Sequence, residues 1–126
     1  MPAGLIMIDG SGLSRYNLVT PESLVALLTR IDRTETLRGP FEDALPVAGR
    51  DGTLEGRMKN TAAENNARAK TGAIANARSL SGYVRTTSGE PLVFSILANN
   101  FETTTDVIDR ATDAIVVRLA TFKRQN

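Results

Sequence analysis

Between Pro91 and Asn99 the chain carries Leu92, Val93, Phe94, Ile96 and Leu97, apolar at odd and even positions alike. Successive side chains of a strand point to opposite faces, so a strand of this sequence must be central in a sheet or covered on both sides. Two further extended segments precede it, Arg68 to Ile74 and Leu80 to Thr86. Thr87-Ser88-Gly89-Glu90, between the second and the third, has the composition of a hairpin loop. A cover for such a sheet comes next in the chain. From Thr105 to Phe122, Ile108, Ala111, Ile115, Leu119 and Phe122 recur at spacings of three or four, which predicts a long amphipathic helix. Lys123 and Arg124 near its end suit the negative pole of the helix dipole.

The first half is less regular. Thr20-Pro21-Glu22 supplies an N-cap, a proline at the first helical position and an acid in the first turn, and Leu24, Leu27, Leu28 and Ile31 repeat at helical spacing. A helix over Pro21 to Ile31 is expected. Between Asp32 and Asn66, Gly39-Pro40, Pro46, Gly49, Asp51-Gly52 and Gly56 interrupt the pattern and leave room for short helices only, with Leu54 and Met58 able to share one face. Leu5 to Ile8 reads as a strand or buried extended segment that runs into the Asp9-Gly10-Ser11-Gly12 turn. The order of elements predicts an α+β fold, an antiparallel sheet with the C-terminal helix packed on it, in a single domain over residues 1–126. Hydrophobic residues at 41% and charged residues at 23% of 126 suit such a core and favour neither disorder nor a membrane span.

The missing residue types limit the chemistry. There is no histidine and no cysteine, which removes Ser-His-Asp and Cys-His arrangements, disulfides and the commonest metal ligands. Acid-base work falls to Lys, Asp, Glu, Tyr or Ser, and no metal or other cofactor is expected. Lys+Arg 15 against Asp+Glu 14 gives a formal charge of +1 with the basic residues scattered, so nucleic acid is not an expected partner. The opening Met1-Pro2-Ala3-Gly4-Leu5-Ile6-Met7-Ile8 has no basic n-region and does not read as a signal peptide.

Lys70-Thr71-Gly72 opens the first expected strand. A cation there can attract a substrate carboxylate, a hydroxyl can hydrogen-bond it, and a glycine lets a ligand lie along the strand edge. By itself the tripeptide reads more readily as a solvated strand residue beside a turn. Likewise Gly10 and Gly12 alone close a turn, Ser14 alone caps a short helix, and Tyr16 alone is a half-buried aromatic.

Asp9-Gly10-Ser11-Gly12-Leu13-Ser14-Arg15-Tyr16-Asn17, Leu45-Pro46-Val47-Ala48-Gly49-Arg50-Asp51-Gly52-Thr53-Leu54, Ala69-Lys70-Thr71-Gly72 and Leu80-Ser81-Gly82-Tyr83 occur in this order. Together they resemble the D-alanyl-D-alanine carboxypeptidase/endopeptidases, the low-molecular-mass class C penicillin-binding proteins, in their C-terminal part. The resemblance implies the penicillin-recognising fold shared with class A β-lactamases and a catalytic set of Ser-x-x-Lys, Ser-x-Asn and Lys-Thr-Gly. It implies that Ser14 relays a proton to the leaving group and that Lys70 and Thr71, with Gly72, bind the terminal carboxylate. The Ala73 N–H would then serve the oxyanion hole. A strict Ser-x-Asn needs asparagine at 16, where this chain has Tyr16, so the contact to the substrate amide falls to Asn17 or to the Tyr16 hydroxyl. The implied ligands are peptidoglycan stem peptides and β-lactams. The implied partner is the remainder of the catalytic domain, and the implied location is periplasmic or extracytoplasmic.

The nucleophile motif is missing. Lys59, Lys70 and Lys123 are preceded at three residues' distance by Gly56, Ala67 and Ala120, so the 126 residues contain no Ser-x-x-Lys. The chain is therefore expected to be inactive alone, as the C-terminal piece of an acyl-transfer enzyme. Two alternatives come from other classes: a non-catalytic domain that binds peptidoglycan peptides, and a phosphate-binding module built on the Asp9-Gly10-Ser11-Gly12 turn, which requires a helix opening directly after the glycines. The enzyme reading also requires Ser14 and Lys70 to face one cleft.

Overall fold

A computed structural model describes residues 4–125; Met1 to Ala3 and Asn126, part of the single domain expected over 1–126, lie outside them. The expected strands form as β1 (Arg68–Ile74), β2 (Ala77–Arg85) and β3 (Pro91–Asn99). They pair antiparallel in the order β1-β2-β3, with Thr71 opposite Leu80 and Leu80 opposite Ile96. β2 begins three residues earlier than its apolar pattern suggests, because Asn76 takes a left-handed backbone (φ 56) and closes a tight turn with Ala75. The β2–β3 hairpin closes as expected, with Gly89 at φ 84 and its N–H donating to the Thr86 carbonyl.

Three helices surround the sheet: α1 (Pro21–Asp32), α2 (Glu35–Asp43) and α3 (Thr105–Ala120). α1 starts where the sequence places it. The Thr20 hydroxyl accepts from the Ser23 N–H while the Ser23 hydroxyl accepts from the Thr20 N–H, a reciprocal cap completed by Pro21. α2 runs through Gly39-Pro40, read from the sequence as an interruption. Pro40 has no N–H to donate, and the helix ends three residues beyond it; Phe41, next to it, sets its ring edge-on against Tyr83, centroids 6.4 Å apart.

Strand parity shows which helix covers which face. Leu80 and Val84 point to the face where they meet Phe94, Val116 and Ala120 in one cluster, so α3 packs there. Tyr83 points to the other face, and its hydroxyl donates to the Leu28 carbonyl of α1 over 2.8 Å. β3 is thus covered on both sides as its sequence requires, but it is the outer strand of the described sheet rather than a central one. The apolar stripe of α3 is also shifted from the expected one. Thr112, Val116 and Ala120 are buried, whereas Ile115 and Phe122 stay nearly half exposed. Small and β-branched residues line the inner face, and Thr112 is held by Arg57, which also forks onto Asp113 at 2.7 Å. Arg57 lies in the irregular stretch between the turn Gly52–Leu54 and β1; Leu54 of the turn and Met58, Ala63 and Ala67 of the stretch join the core. Truncating a fully buried member such as Leu80 to alanine should cost about 2–5 kcal/mol.

The sheet leaves β1 at one edge, as the Lys70 strand needs to be. β1 can approach β2 so closely only because position 82 is glycine: a Cβ there would run into the Arg68 carbonyl and the Ala69 backbone. Leu5 to Ile8, expected as a strand or buried extended segment, is exposed, tied down by a bridge between Ile6 and Leu18 and by the Ile8 N–H donating to the Asn17 side chain.

Burial, then the nearby charges of Asp32 and Glu42, push the Tyr83 phenol up to about 12. The unfolded chain loses this proton near pH ~10, so above that value the unfolded state is deprotonated while the fold still holds its proton. Stability is therefore full below about pH 10 and falls as pH rises towards about 12. Tyr83→Phe should cost about 0.5–1.5 kcal/mol at neutral pH through loss of the bond to Leu28 and should flatten this alkaline decline. Urea unfolding at neutral and alkaline pH checks it, and parallel pH curves for the two proteins would refute it.

Candidate functional site

Lys70 and Thr71 are neighbours on an edge strand, so their side chains leave opposite faces of it. Lys70 is exposed, has no carboxylate partner among the described residues, and turns its ammonium back to the Thr71 carbonyl at 2.7 Å. Thr71 is half-buried and its hydroxyl donates to the Thr53 hydroxyl over 3.0 Å. The outer edge of β1 is occupied at its start, where the Ala69 N–H donates to the Pro46 carbonyl and Val47 bridges Arg68. From Lys70 onward the edge is unpaired among the described residues. An added Cβ on Gly72 would meet the Ser79 hydroxyl, a side-chain end that can rotate away, so glycine is not demanded there by the fold itself.

Residues Asp9 to Asn17 form a self-braced loop. The Asp9 carboxylate accepts from the Ser11 hydroxyl at 2.6 Å, the Asn17 amide at 2.7 Å and the Gly12 N–H at 3.3 Å. The Asn17 carbonyl oxygen accepts from the Ile8 N–H at 2.8 Å. Both ends of the Asn17 side chain thus hold the loop, which leaves it one amide hydrogen for any ligand. Tyr16 is 78% exposed. The Ser14 oxygen accepts from the Tyr16 N–H at 3.2 Å, and Ser14 keeps its own proton to donate. The first helix after the two glycines is α1, opening at Pro21.

The loop sits over the β1–β2 turn. Ser14, Asn17, Gly72, Ala73 and Ser79 line a hollow of about 290 Å³ there. The structure therefore gathers four of the six expected site residues, while Lys70 and Thr71 stand outside that lining, so this hollow is not the cleft expected to hold both Ser14 and Lys70. Arg78 also lines it, with an Nε that is buried and has no partner among the described residues. Arg78 does not stand out in the sequence, and Thr53 enters there only as part of the Leu45 to Leu54 run, without a role, since each meets the site only through folding. A larger hollow of about 490 Å³ at the other end of β2 brings Asp32 and Glu42 against Arg68 and Arg85, with none of the expected site residues.

Hydrogen bonds from Ser11, then Asn17, hold the Asp9 carboxyl below its ordinary value of 3.8. A lowered folded value stabilises the loop at pH above the ordinary one, and that support is lost as pH falls through the folded value. Asn17→Ala should raise the Asp9 titration towards 3.8 and speed amide exchange at Ile8, both readable by NMR. An unmoved Asp9 titration would show that Asn17 does not brace the loop.

Comparison with known proteins bears on the whole arrangement. Residues 2–122 match the profile of the family described as D-Ala-D-Ala carboxypeptidase 3 (S13). The chain is 43% identical over 125 residues to the D-alanyl-D-alanine carboxypeptidase of Actinomadura sp. (strain R39), covering 95% of this chain and 22% of that one. It is 37% identical to the penicillin-sensitive carboxypeptidase A of Dictyostelium discoideum, covering 91% of this chain and 23% of that one. The fold superposes on the crystal structure of penicillin-binding protein 4 from Haemophilus influenzae with a TM-score of 0.83 and 28% identity, over 94% of this chain and 28% of that one. The chain thus spans less than a third of each of these proteins.

Proposed function

Because the chain belongs to the D-Ala-D-Ala carboxypeptidase 3 (S13) family, we propose that it forms the carboxylate-recognition side of a serine-type D-Ala-D-Ala carboxypeptidase or endopeptidase acting on peptidoglycan peptides. The observation that carries this reading is the placement of Lys70-Thr71-Gly72 on β1, where the occupied edge ends and the open edge begins. A peptide ending in a free carboxylate can lie along that edge with its charge near Lys70 and its carboxylate within reach of the Thr71 hydroxyl. Lys70 is well suited to this, since no protein carboxylate among the described residues neutralises it. The Ala73 N–H would serve the oxyanion, and Ser14, whose proton is uncommitted, would pass a proton to the leaving group. With Asn17 engaged in its loop, the Tyr16 hydroxyl has the greater freedom to meet the substrate amide.

The attacking serine is not among these groups. The 126 residues contain no Ser-x-x-Lys, so the nucleophile would come from a further part of the catalytic domain, which this reading makes the chain's principal partner. Such an enzyme would work at the cell wall, outside the cytoplasm. Among the described residues no helix is long and apolar enough to cross a membrane.

The 126-residue chain incubated with excess penicillin should give no covalent adduct by mass spectrometry, and carboxylate binding by Lys70 and Thr71 should be weak and salt-sensitive, since an exposed ion pair contributes about 0–1 kcal/mol. An adduct on Ser11, Ser14 or another serine would overturn the assignment of roles. In the complete enzyme, Lys70→Ala should slow penicillin acylation by about tenfold or more, the loss of one hydrogen bond to a charged group. An unchanged rate would reduce Lys70-Thr71-Gly72 to a strand start.

A further inference from the structure

Thr53 lies 18 positions before Thr71 in sequence, and its hydroxyl oxygen receives the Thr71 proton over 3.0 Å. The segment that carries it is fixed from several sides. The Asp51 carboxylate accepts from the Val47 N–H at 2.8 Å, the Gly49 N–H donates to the Leu54 carbonyl at 2.9 Å, and Leu54 is fully buried. Gly52 takes a left-handed backbone, φ 56, directly over the Pro46 ring. The same Pro46 accepts from Ala69 on β1, so the loop and the strand are hydrogen-bonded one residue before Lys70. Thr53 is nevertheless exposed, an open side chain on a rigid support.

Its chemistry is unfinished. Thr53 accepts one proton, and its own O–H has no acceptor among the described residues. When a carboxylate reaches the Thr71 hydroxyl, the Thr71 proton turns from Thr53 to the anion, and Thr53 is left with a free proton about one hydrogen bond away. Two hydroxyls 3.0 Å apart can then donate to the two oxygens of one carboxylate. We propose that Thr53 is a further substrate-binding residue, which with Thr71 forms a paired-hydroxyl seat for the terminal carboxylate. This inference rests on the function proposed above, and it adds a loop residue to a site otherwise carried by β1.

The test uses the complete enzyme and two probes, benzylpenicillin and its methyl ester, which offers no carboxylate. Thr53→Val should slow acylation by the free acid about tenfold or more, the effect of losing a hydrogen bond to an anion, and affect the ester far less. Thr53→Ser, which restores the hydroxyl, should recover most of the rate with the acid. An acid rate unchanged by Thr53→Val while Thr71→Val slows it would overturn the inference and leave the proposed function standing. Equal slowing of acid and ester, or no rescue by Thr53→Ser, would make Thr53 a structural residue and also overturn it. If Thr71→Val and Lys70→Ala both leave the acid rate unchanged, the proposed function itself fails.

Discussion

The arrangement depends on how closely β1 lies against β2. Gly82 has no side chain, so the Arg68 carbonyl and the Ala69 backbone occupy the space a Cβ would need. That contact fixes the register in which Ala69 faces Gly82 and Thr71 faces Leu80. The register in turn decides the rest by alternation. Ala69, Leu80 and Val84 enter the core under α3, while Arg68, Lys70 and Tyr83 emerge on the face of α1. A slip by one residue would bury Lys70 in place of Ala69, and the cost of burying an unpaired cation makes that register inaccessible.

The sequence reveals the parts of this arrangement that are local. A run apolar on both faces and the hairpin loop before it delimit β3, and Thr20-Pro21 marks the start of α1, because each signal lies within a few residues of the structure it produces. It fails where distant contacts decide. Gly39-Pro40 reads as an interruption, whereas the nine-residue α2 runs through it and sets Phe41 against Tyr83, 42 positions away. The α3 stripe reads as Ile108, Ala111, Ile115, Leu119 and Phe122, but the helix turns Thr112, Val116 and Ala120 inward, where Arg57 grips Thr112 and Asp113. Hydrophobicity alone ranks isoleucine above threonine for the inner face, and only the packing partner reverses that order.

The candidate site divides in the same way. Lys70-Thr71-Gly72 is a contiguous string, so its chemistry can be read directly, and so can the glycine-rich turn before Ser14. The proximity of Ser14 to Gly72 and Ala73 comes from the loop folding over the β1–β2 turn, and the Thr53–Thr71 contact comes from a loop hydrogen-bonded to the strand beside it. Asn17 combines the two. Its place in the string suggests a substrate contact, and its hydrogen bonds to Asp9 and Ile8 add what the string does not reveal, a brace for the loop that carries Ser14.

These contacts also explain how the edge strand β1 can be both exposed and stiff. An edge strand left entirely free would offer its whole length to any passing strand, a route to aggregation. Here Pro46 to Ala48 occupy the first part of the edge through Ala69 and Arg68, and the covered stretch stops before Lys70. Beyond it the open run is short, begins with a cation and a hydroxyl and includes a glycine, polar enough to discourage nonspecific pairing. The Pro46 side anchors one end of this run, and the turn at Asn76, whose carbonyl accepts from the Asn100 N–H, anchors the other. A ligand strand added to this edge, as proposed above, would pair only with a segment whose two ends are already fixed. On the proposed function, little ordering entropy would remain to oppose binding, and selection would fall to the charge and hydroxyls at its start.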